Sequence, residues 1–181
     1  MRKSSFFPTL CFLLLSLTLH SQESHLDAGR MGERFTFTME LAAAPEAKIL
    51  EALKEGMRSE VEYRVQLYRE IDGIWRFFGD RLIEEYETHH IAYFDPFTRS
   101  YKIAATGAFA KGERSFEEPE AFLREFLSIR STPVKLPLEG SDYWIRGRAV
   151  IRPVRVAPPL GLIGVFLPNQ RYGTAWTSAE L

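Results

Sequence analysis

The chain has 181 residues and a net charge of −1 at neutral pH, with 45% hydrophobic and 13% aromatic residues. This composition excludes an intrinsically disordered chain, and the lack of a basic excess argues against a nucleic-acid-binding protein. A chain of this length can bury a hydrophobic core of its own.

The first 21 residues have the pattern of a secretory signal peptide. Arg2 and Lys3 precede an apolar stretch from Phe6 to Leu19, and polar residues follow. That stretch of roughly 14 residues is shorter than the ~20 that a membrane-spanning helix needs. We therefore expect cleavage after Ser21 and a location in the periplasm or cell envelope, with a retained N-terminal anchor as the alternative.

Cys11 is the only cysteine, and it lies inside the predicted signal peptide. The exported domain would then contain no thiol, which excludes disulfides and thiolate metal sites. It would carry 21 basic and 24 acidic side chains. Its stability must then come from burial alone.

The first half of the exported part predicts two strands and one helix. Polar residues 22–33 are expected to form a flexible leader. Residues 34–41 alternate between apolar and polar side chains and predict a half-buried strand. Pro45 and Gly56 mark the start and end of a short helix. The alternation is cleanest over residues 59–71, which predicts a second strand.

The second half predicts three strands and a second helix. Residues 85–94 and 100–105 are expected to pair through the turn at Asp95-Pro96. A helix follows Pro119, with apolar residues at helical spacing. Residues 142–156 predict a final strand that contains Pro153, which confines that end to an edge or a bulge. From residue 157 onward we expect a loop.

These elements predict the class α+β. Hairpin-linked strands with segregated helices favour a single domain over residues 34–181. We expect an antiparallel sheet of about five to six strands with two short helices.

His89 and His90 point to opposite faces of their predicted strand, so they cannot chelate one ion together. Glu85, Glu87 and His89 share one face and are the better candidate ligands. Adjacent members lie about 6.6–7 Å apart along a strand, so only two of them easily reach one ion. A solvated polar face is the preferred interpretation, and we expect neither a metal nor another cofactor.

Two further groups of residues are candidate binding sites. Arg146, Arg148 and Arg152 share one face of the last predicted strand and are suited to phosphate, a carboxylate polymer or an anionic lipid headgroup. Pairing with glutamates on neighbouring strands is the favoured alternative. The second group is apolar and occupies predicted connections, where it either covers the core or docks a partner. Its members are Trp75, Phe77, Phe78 and, in the C-terminal loop, Phe166.

No catalytic motif accompanies these candidates. The sequence contains no Gly-x-Ser-x-Gly, no His-Glu-x-x-His and no phosphate-binding glycine loop. We therefore expect a non-enzymatic binding or accessory module of the cell envelope. The alternatives are a carboxylate- or metal-dependent hydrolase acting from Glu85, Glu87 and His89, and a purely structural scaffold.

Several segments together resemble one exported bacterial family, Domain of Unknown Function 4390. The resemblance extends from Phe35 to Trp176 and depends most on Thr98-Arg99-Ser100-Tyr101-Lys102-Ile103 and on the upstream aromatic residues Trp75-Arg76-Phe77-Phe78. It implies a cell-envelope protein without an established activity. Some members are encoded beside a membrane sensor kinase, so the resemblance also implies an envelope signalling partner.

Overall fold

A computed structural model describes residues 23–71, 73, 77, 79–137, 142–155 and 171–181. Within these ranges no helix is long and apolar enough to cross a membrane. The elements in chain order are β1 (Ser24–Met31), β2 (Arg34–Leu41), α1 (Glu46–Lys54), β3 (Arg58–Arg69), β4 (Arg81–Asp95), β5 (Ser100–Gly107), β6 (Glu113–Phe116), α2 (Pro119–Phe126), β7 (Ser128–Arg130), β8 (Val134–Lys135), β9 (Tyr143–Arg155), β10 (Tyr172–Gly173) and β11 (Thr177–Glu180).

The strands form two antiparallel sheets. In the smaller sheet β2 pairs with β1 on one side and with β7 and β8 on the other. The larger sheet has the order β10-β9-β3-β4-β5-β6, and β11 also pairs with β9. Strand β3 is therefore central, with β4 on one side and β9 on the other.

The antiparallel arrangement and both helices confirm part of the predicted fold class. The class α+β with one sheet is corrected, because the described chain is mostly β and its strands divide between two sheets. Five of the strands, β6, β7, β8, β10 and β11, have only two to four residues each. Such short strands contain too few positions for an alternating pattern to be recognised.

The expected flexible leader over residues 22–33 is also corrected. Residues 24–31 form β1, which pairs with β2 along its whole length. Only Leu26 of this strand is buried. The strand is therefore specified by its backbone pairing to β2 rather than by an apolar face of its own, which is why the sequence pattern missed it.

The two sheets and the helices share one hydrophobic core. Gly147 in β9 shows how closely the sheets approach each other. A Cβ atom added there would lie 2.9 Å from Sδ of Met39 in β2 and 3.6 Å from Cγ2 of Val65 in β3. The missing side chain lets the smaller sheet pack directly over the centre of the larger one.

The end of α2 is tied to the centre of the larger sheet by polar side chains inside the core. The carbonyl oxygen of Phe126 accepts a hydrogen bond of 2.9 Å from the Tyr63 hydroxyl and lies 3.3 Å from Nδ1 of His90. Such partners satisfy a carbonyl that the helix itself leaves open. Burial lowers the pKa of His90 and raises that of Tyr63, so both groups are neutral in the core.

The C-terminal segment runs along the outer edge of β9. Thr174 lies between β10 and β11, where its backbone N–H donates to the Ala149 carbonyl at 2.9 Å and its hydroxyl accepts from the Ala149 N–H at 3.0 Å. The predicted loop from residue 157 onward is therefore wrong for Tyr172–Gly173 and Thr177–Glu180, which form β10 and β11. Residues 157–170 lie outside the described residues.

Candidate functional site

Strand β3 divides its side chains between the core and the exterior. Val61, Tyr63, Val65 and Leu67 are fully buried against the smaller sheet and the helices. The residues between them point to the other side, where they meet the outward side chains of β4 and β9. We call this side the outer face of the larger sheet, and it contains every predicted charged site residue.

The ligands expected from the sequence, Glu85, Glu87 and His89, lie on the half of the outer face formed by β3 and β4. The set of donors that the structure brings together there is a different one. The donor atoms of Glu62, Glu87 and His89 lie within 4.8 Å of one another. Glu85 instead accepts a hydrogen bond from the Gln66 side-chain amide and pairs with Nε of Arg64 at 3.5 Å. The spacing along β4 could not reveal Glu62, because that residue lies on the neighbouring strand opposite His89.

Six charged or titratable side chains of the outer face contact one another, and we call them the ion-pair network: Glu60, Glu62, Arg64, Glu87, His89 and Arg152. Arg152 contacts Glu60 and Glu62 at 3.2 Å each. Arg64 contacts Glu62 at 3.3 Å and Glu87 at 3.7 Å. The His89 ring bridges the remaining pair, with Nδ1 3.3 Å from Glu60 and Nε2 3.1 Å from Glu87. Each carboxylate therefore already has a partner, and the arrangement suits holding strands together better than binding a cation.

The other half of the outer face carries a different structure, which we call the outer stack. It consists, in order, of Trp144, Tyr68, Arg146, Trp176 and Arg148. The Trp144 and Tyr68 rings are nearly parallel, with centroids 4.4 Å apart. The Arg146 guanidinium lies 4.9 Å from the Tyr68 ring centroid and 4.6 Å from that of Trp176, and the Arg148 guanidinium lies 4.8 Å from that of Trp176.

Hydrogen bonds to neutral groups orient Arg146 within the stack. Its Nε donates to Oε1 of Gln66 at 2.8 Å, and its Nη2 donates to the Tyr68 hydroxyl at 2.6 Å. Among the described residues, neither Arg146 nor Arg148 contacts a carboxylate. Cross-strand pairing with glutamate, the favoured alternative from the sequence, therefore applies to Arg152 but does not account for Arg146 and Arg148.

The sequence placed the three arginines on one face but missed the aromatic members of the stack. Trp144 shares the outward positions of Arg146 and Arg148, so alternation along β9 could have identified it. Trp176 gave no such signal, because only the pairing of the C-terminal segment with β9 brings it over the arginines.

The predicted apolar sites can be placed only in part. Phe77 is 91% exposed in the connection between β3 and β4. Trp75, Phe78 and Phe166 lie outside the described residues.

The comparisons with known proteins agree with the family resemblance. The family model described as Domain of unknown function (DUF4390) matches residues 20–180. No curated protein matches the chain, and no solved structure matches it.

Proposed function

Because the chain belongs to the DUF4390 family, which is described as being of unknown function, we propose a function from the geometry of its outer face. The protein is a non-enzymatic binding module of the cell envelope. Its outer stack binds a partner that bears oxyanions, through the end of the stack formed by Arg148.

The observation that carries this proposal is the state of the Arg148 guanidinium. It lies against the Trp176 ring and contacts no carboxylate among the residues that the structure describes. A guanidinium on an aromatic ring keeps its in-plane N–H donors available for a carboxylate or a phosphate. Arg148 is half-buried on a strand, so these donors are held in place rather than carried on a flexible side chain.

The same face favours binding over the alternative of hydrolysis. A carboxylate-dependent hydrolase needs an acid and a base that are free to act on a substrate. The candidate carboxylates Glu62 and Glu87 are instead engaged by Arg64, Arg152 and His89 in the ion-pair network. A purely structural scaffold would use the network in the same way, but it would not need the Arg148 guanidinium, which stacks on Trp176 and meets no carboxylate among the described residues.

Location and partner follow from the N-terminal pattern and from the family. We propose that the signal peptide is removed, so the intact mass of the envelope protein should lack the first ~21 residues. A full-length mass would instead favour an N-terminal anchor. The family's association with a membrane sensor kinase makes an acidic region of such a kinase, or the membrane surface beside it, the first partner to examine.

The test compares two arginine variants that change the charge equally. The purified protein is mixed with phosphatidylglycerol vesicles and, separately, with polyglutamate, and binding is measured by co-sedimentation and by fluorescence anisotropy. We expect Arg148→Gln to weaken binding to at least one probe on the order of tenfold, as for a lost charge-assisted contact. The control is Arg130→Gln on β7, an exposed arginine of the smaller sheet, which should bind as the unaltered protein does.

Two outcomes would overturn the proposal. Equal loss of binding in Arg148→Gln and Arg130→Gln would indicate nonspecific attraction by net charge. No binding of either probe by the unaltered protein at low salt would remove the oxyanion site.

A further inference from the structure

The other end of the outer stack borders an open pocket of about 320 Å³. The described residues that line it are Glu70, Trp144, Ser178, Ala179 and Glu180. Glu70 follows the end of β3, and the last three residues belong to β11. We call this cavity the Trp144 pocket.

The indole of Trp144 forms the aromatic wall of the pocket. One face of the ring is covered by Tyr68, which comes from β3 on one side of β9. Glu180 is the cross-strand neighbour of Trp144 on the opposite side, in β11. Trp144 lines the pocket together with residues of β11 and with Glu70, which follows β3, and Tyr68 is not among its described lining residues.

The wall and both sides of the pocket are fixed by hydrogen bonds. The indole Nε1–H donates to Oδ2 of Asp80 at 2.8 Å, which sets the orientation of the ring. The backbone N–H of Glu70 donates to the Asp142 carbonyl at 3.0 Å, and the N–H of Leu181 donates to the Tyr143 carbonyl at 3.1 Å. The two glutamates therefore project from anchored segments of backbone.

The charge of the pocket is negative and is not neutralised by any described side chain. Glu70 and Glu180 make no ion pair with a residue that the structure describes, and none of the described residues that line the cavity is basic. This differs from the ion-pair network, where arginines compensate each carboxylate. Nor do these glutamates belong to a set of donors close enough together for a metal ion, a set that the described residues form only at Glu62, Glu87 and His89.

We propose that the Trp144 pocket binds an organic cation, an alkylammonium or quaternary ammonium group. The electron-rich face of an indole attracts such a cation, and nearby carboxylates add a Coulomb attraction that the ring alone lacks. An indole in the lining favours a weakly hydrated organic cation over a small hydrated metal ion. The site and its ligand go beyond the proposed oxyanion binding, which uses Arg148 at the opposite end of the stack.

The test follows the indole N–H resonance of Trp144 during a titration with tetramethylammonium chloride. Sodium chloride at equal ionic strength is the reference, and a Trp144→Phe variant assigns the resonance. We expect a saturable shift with tetramethylammonium and none with sodium. Absence of saturation, or an equal shift with both salts, would overturn the proposal.

Charge-matched double variants locate the site. Glu70→Gln with Glu180→Gln should weaken tetramethylammonium binding on the order of tenfold or more, since it removes both carboxylates of the lining. The control combines Glu51→Gln on α1 with Glu117→Gln before α2, which are exposed glutamates outside the pocket lining, and should change the affinity less than twofold. Equal weakening in both double variants would contradict the site.

Arg148→Gln separates this proposal from the proposed function. It should weaken binding of at least one oxyanion probe on the order of tenfold and leave the tetramethylammonium titration unchanged. Loss of the tetramethylammonium response in Arg148→Gln would mean that the pocket is not an independent site.

Discussion

The two faces of the larger sheet use neighbouring residues of the same strands for different purposes. In β3, Tyr63 and Val65 are fully buried, and between them Arg64 pairs with three glutamates on the outer face. The inner face is stabilised by removal of apolar surface from water. The outer face is arranged by charge and by stacking, forces that contribute less to stability and more to geometry.

This contrast separates residues that maintain the fold from residues that are available for binding. On the inner face even the polar groups, such as His90 and Tyr63, have partners in the core. On the outer face each carboxylate of the ion-pair network has a charged partner. The outer stack instead ends in the Arg148 guanidinium and in an indole next to glutamates that have no ion-pair partner among the described residues. Substitutions on the two faces should therefore differ in their effect on stability.

Replacing a buried aromatic of the inner side should have the largest effect. Phe122 is fully buried and stacks on Tyr101 and Phe126, with centroids 4.9 and 5.4 Å away. We expect Phe122→Ala to lower the free energy of unfolding by about 3–5 kcal/mol, because it removes apolar contacts and leaves a cavity. The urea midpoint of unfolding, with the slope held constant, measures the change.

Phe97 provides the matched control for that substitution. It lies in the β4–β5 turn and is 96% exposed. Phe97→Ala should change stability by about 0.5 kcal/mol or less. Comparable losses of stability in Phe122→Ala and Phe97→Ala would mean that Phe122 is not part of the core or that Phe97 is not exposed.

Substitution of two arginines of β9 should show that the ion-pair network contributes more to stability than the outer stack does. Arg152→Gln removes the guanidinium partner of Glu60, whose side chain is 8% exposed, and leaves Glu62 paired with Arg64. We expect a loss of about 1–2 kcal/mol in stability, since carboxylates with little access to water would lose a guanidinium partner. Arg148→Gln should cost about 0.5 kcal/mol or less, because it breaks only a partly exposed contact with a ring. Urea midpoints of unfolding at constant ionic strength test both variants. A larger loss of stability in Arg148→Gln than in Arg152→Gln would mean that the outer stack, and not the ion-pair network, stabilises the fold.

His90 should make the inner face sensitive to acid. Its pKa is lowered by burial, and the nearby charges of Arg114 and Lys111 act in the same direction, whereas the Phe126 carbonyl and Glu125 oppose the shift. The unfolded chain binds the proton more readily, so this contribution to stability is complete above about pH 6.5 and declines as the pH falls below it. The decline should be up to about 1.4 kcal/mol per pH unit.

Urea midpoints measured between pH 5 and pH 8 show that decline directly. A His90→Gln variant keeps an N–H donor for the Phe126 carbonyl but does not titrate. Its stability should therefore depend less steeply on pH below about 6.5. An identical pH dependence in both proteins would show that His90 is not the group responsible.

The long strands were predictable from the sequence because each has enough alternating positions. The predictions for β2, β3 and β9 agree with the structure to within two residues at each end, and the opposed directions of His89 and His90 followed from the same alternation. Pro153 lies where the β3–β9 register shifts, as expected for an irregular end of a strand. Strand β1 was missed because its positions are mostly polar or small.

The candidate site was less predictable because it depends on contacts between distant segments. Alternation placed Arg146, Arg148 and Arg152 on one face, but it could not distinguish the arginine that pairs with glutamates from the two that stack on rings. That difference depends on Trp176, which reaches the outer face only through the pairing of β10 and β11 with β9. Hydrophobic periodicity describes one element at a time and contains no information on such pairing.

The central position of β3 has a consequence for the order in which the larger sheet assembles. Gln66 of β3 meets its β4 partner Glu85 after 19 residues, but its β9 partner Arg146 only after 80. Because the chain is synthesised from its N-terminus, the hairpin of β3 and β4 can form while the opposite edge of β3 is still open. An unpaired edge in the middle of a future sheet is a template for pairing with another chain. Until β9 has been made, a nascent chain with this hairpin formed therefore exposes an edge of β3 that another chain can pair with.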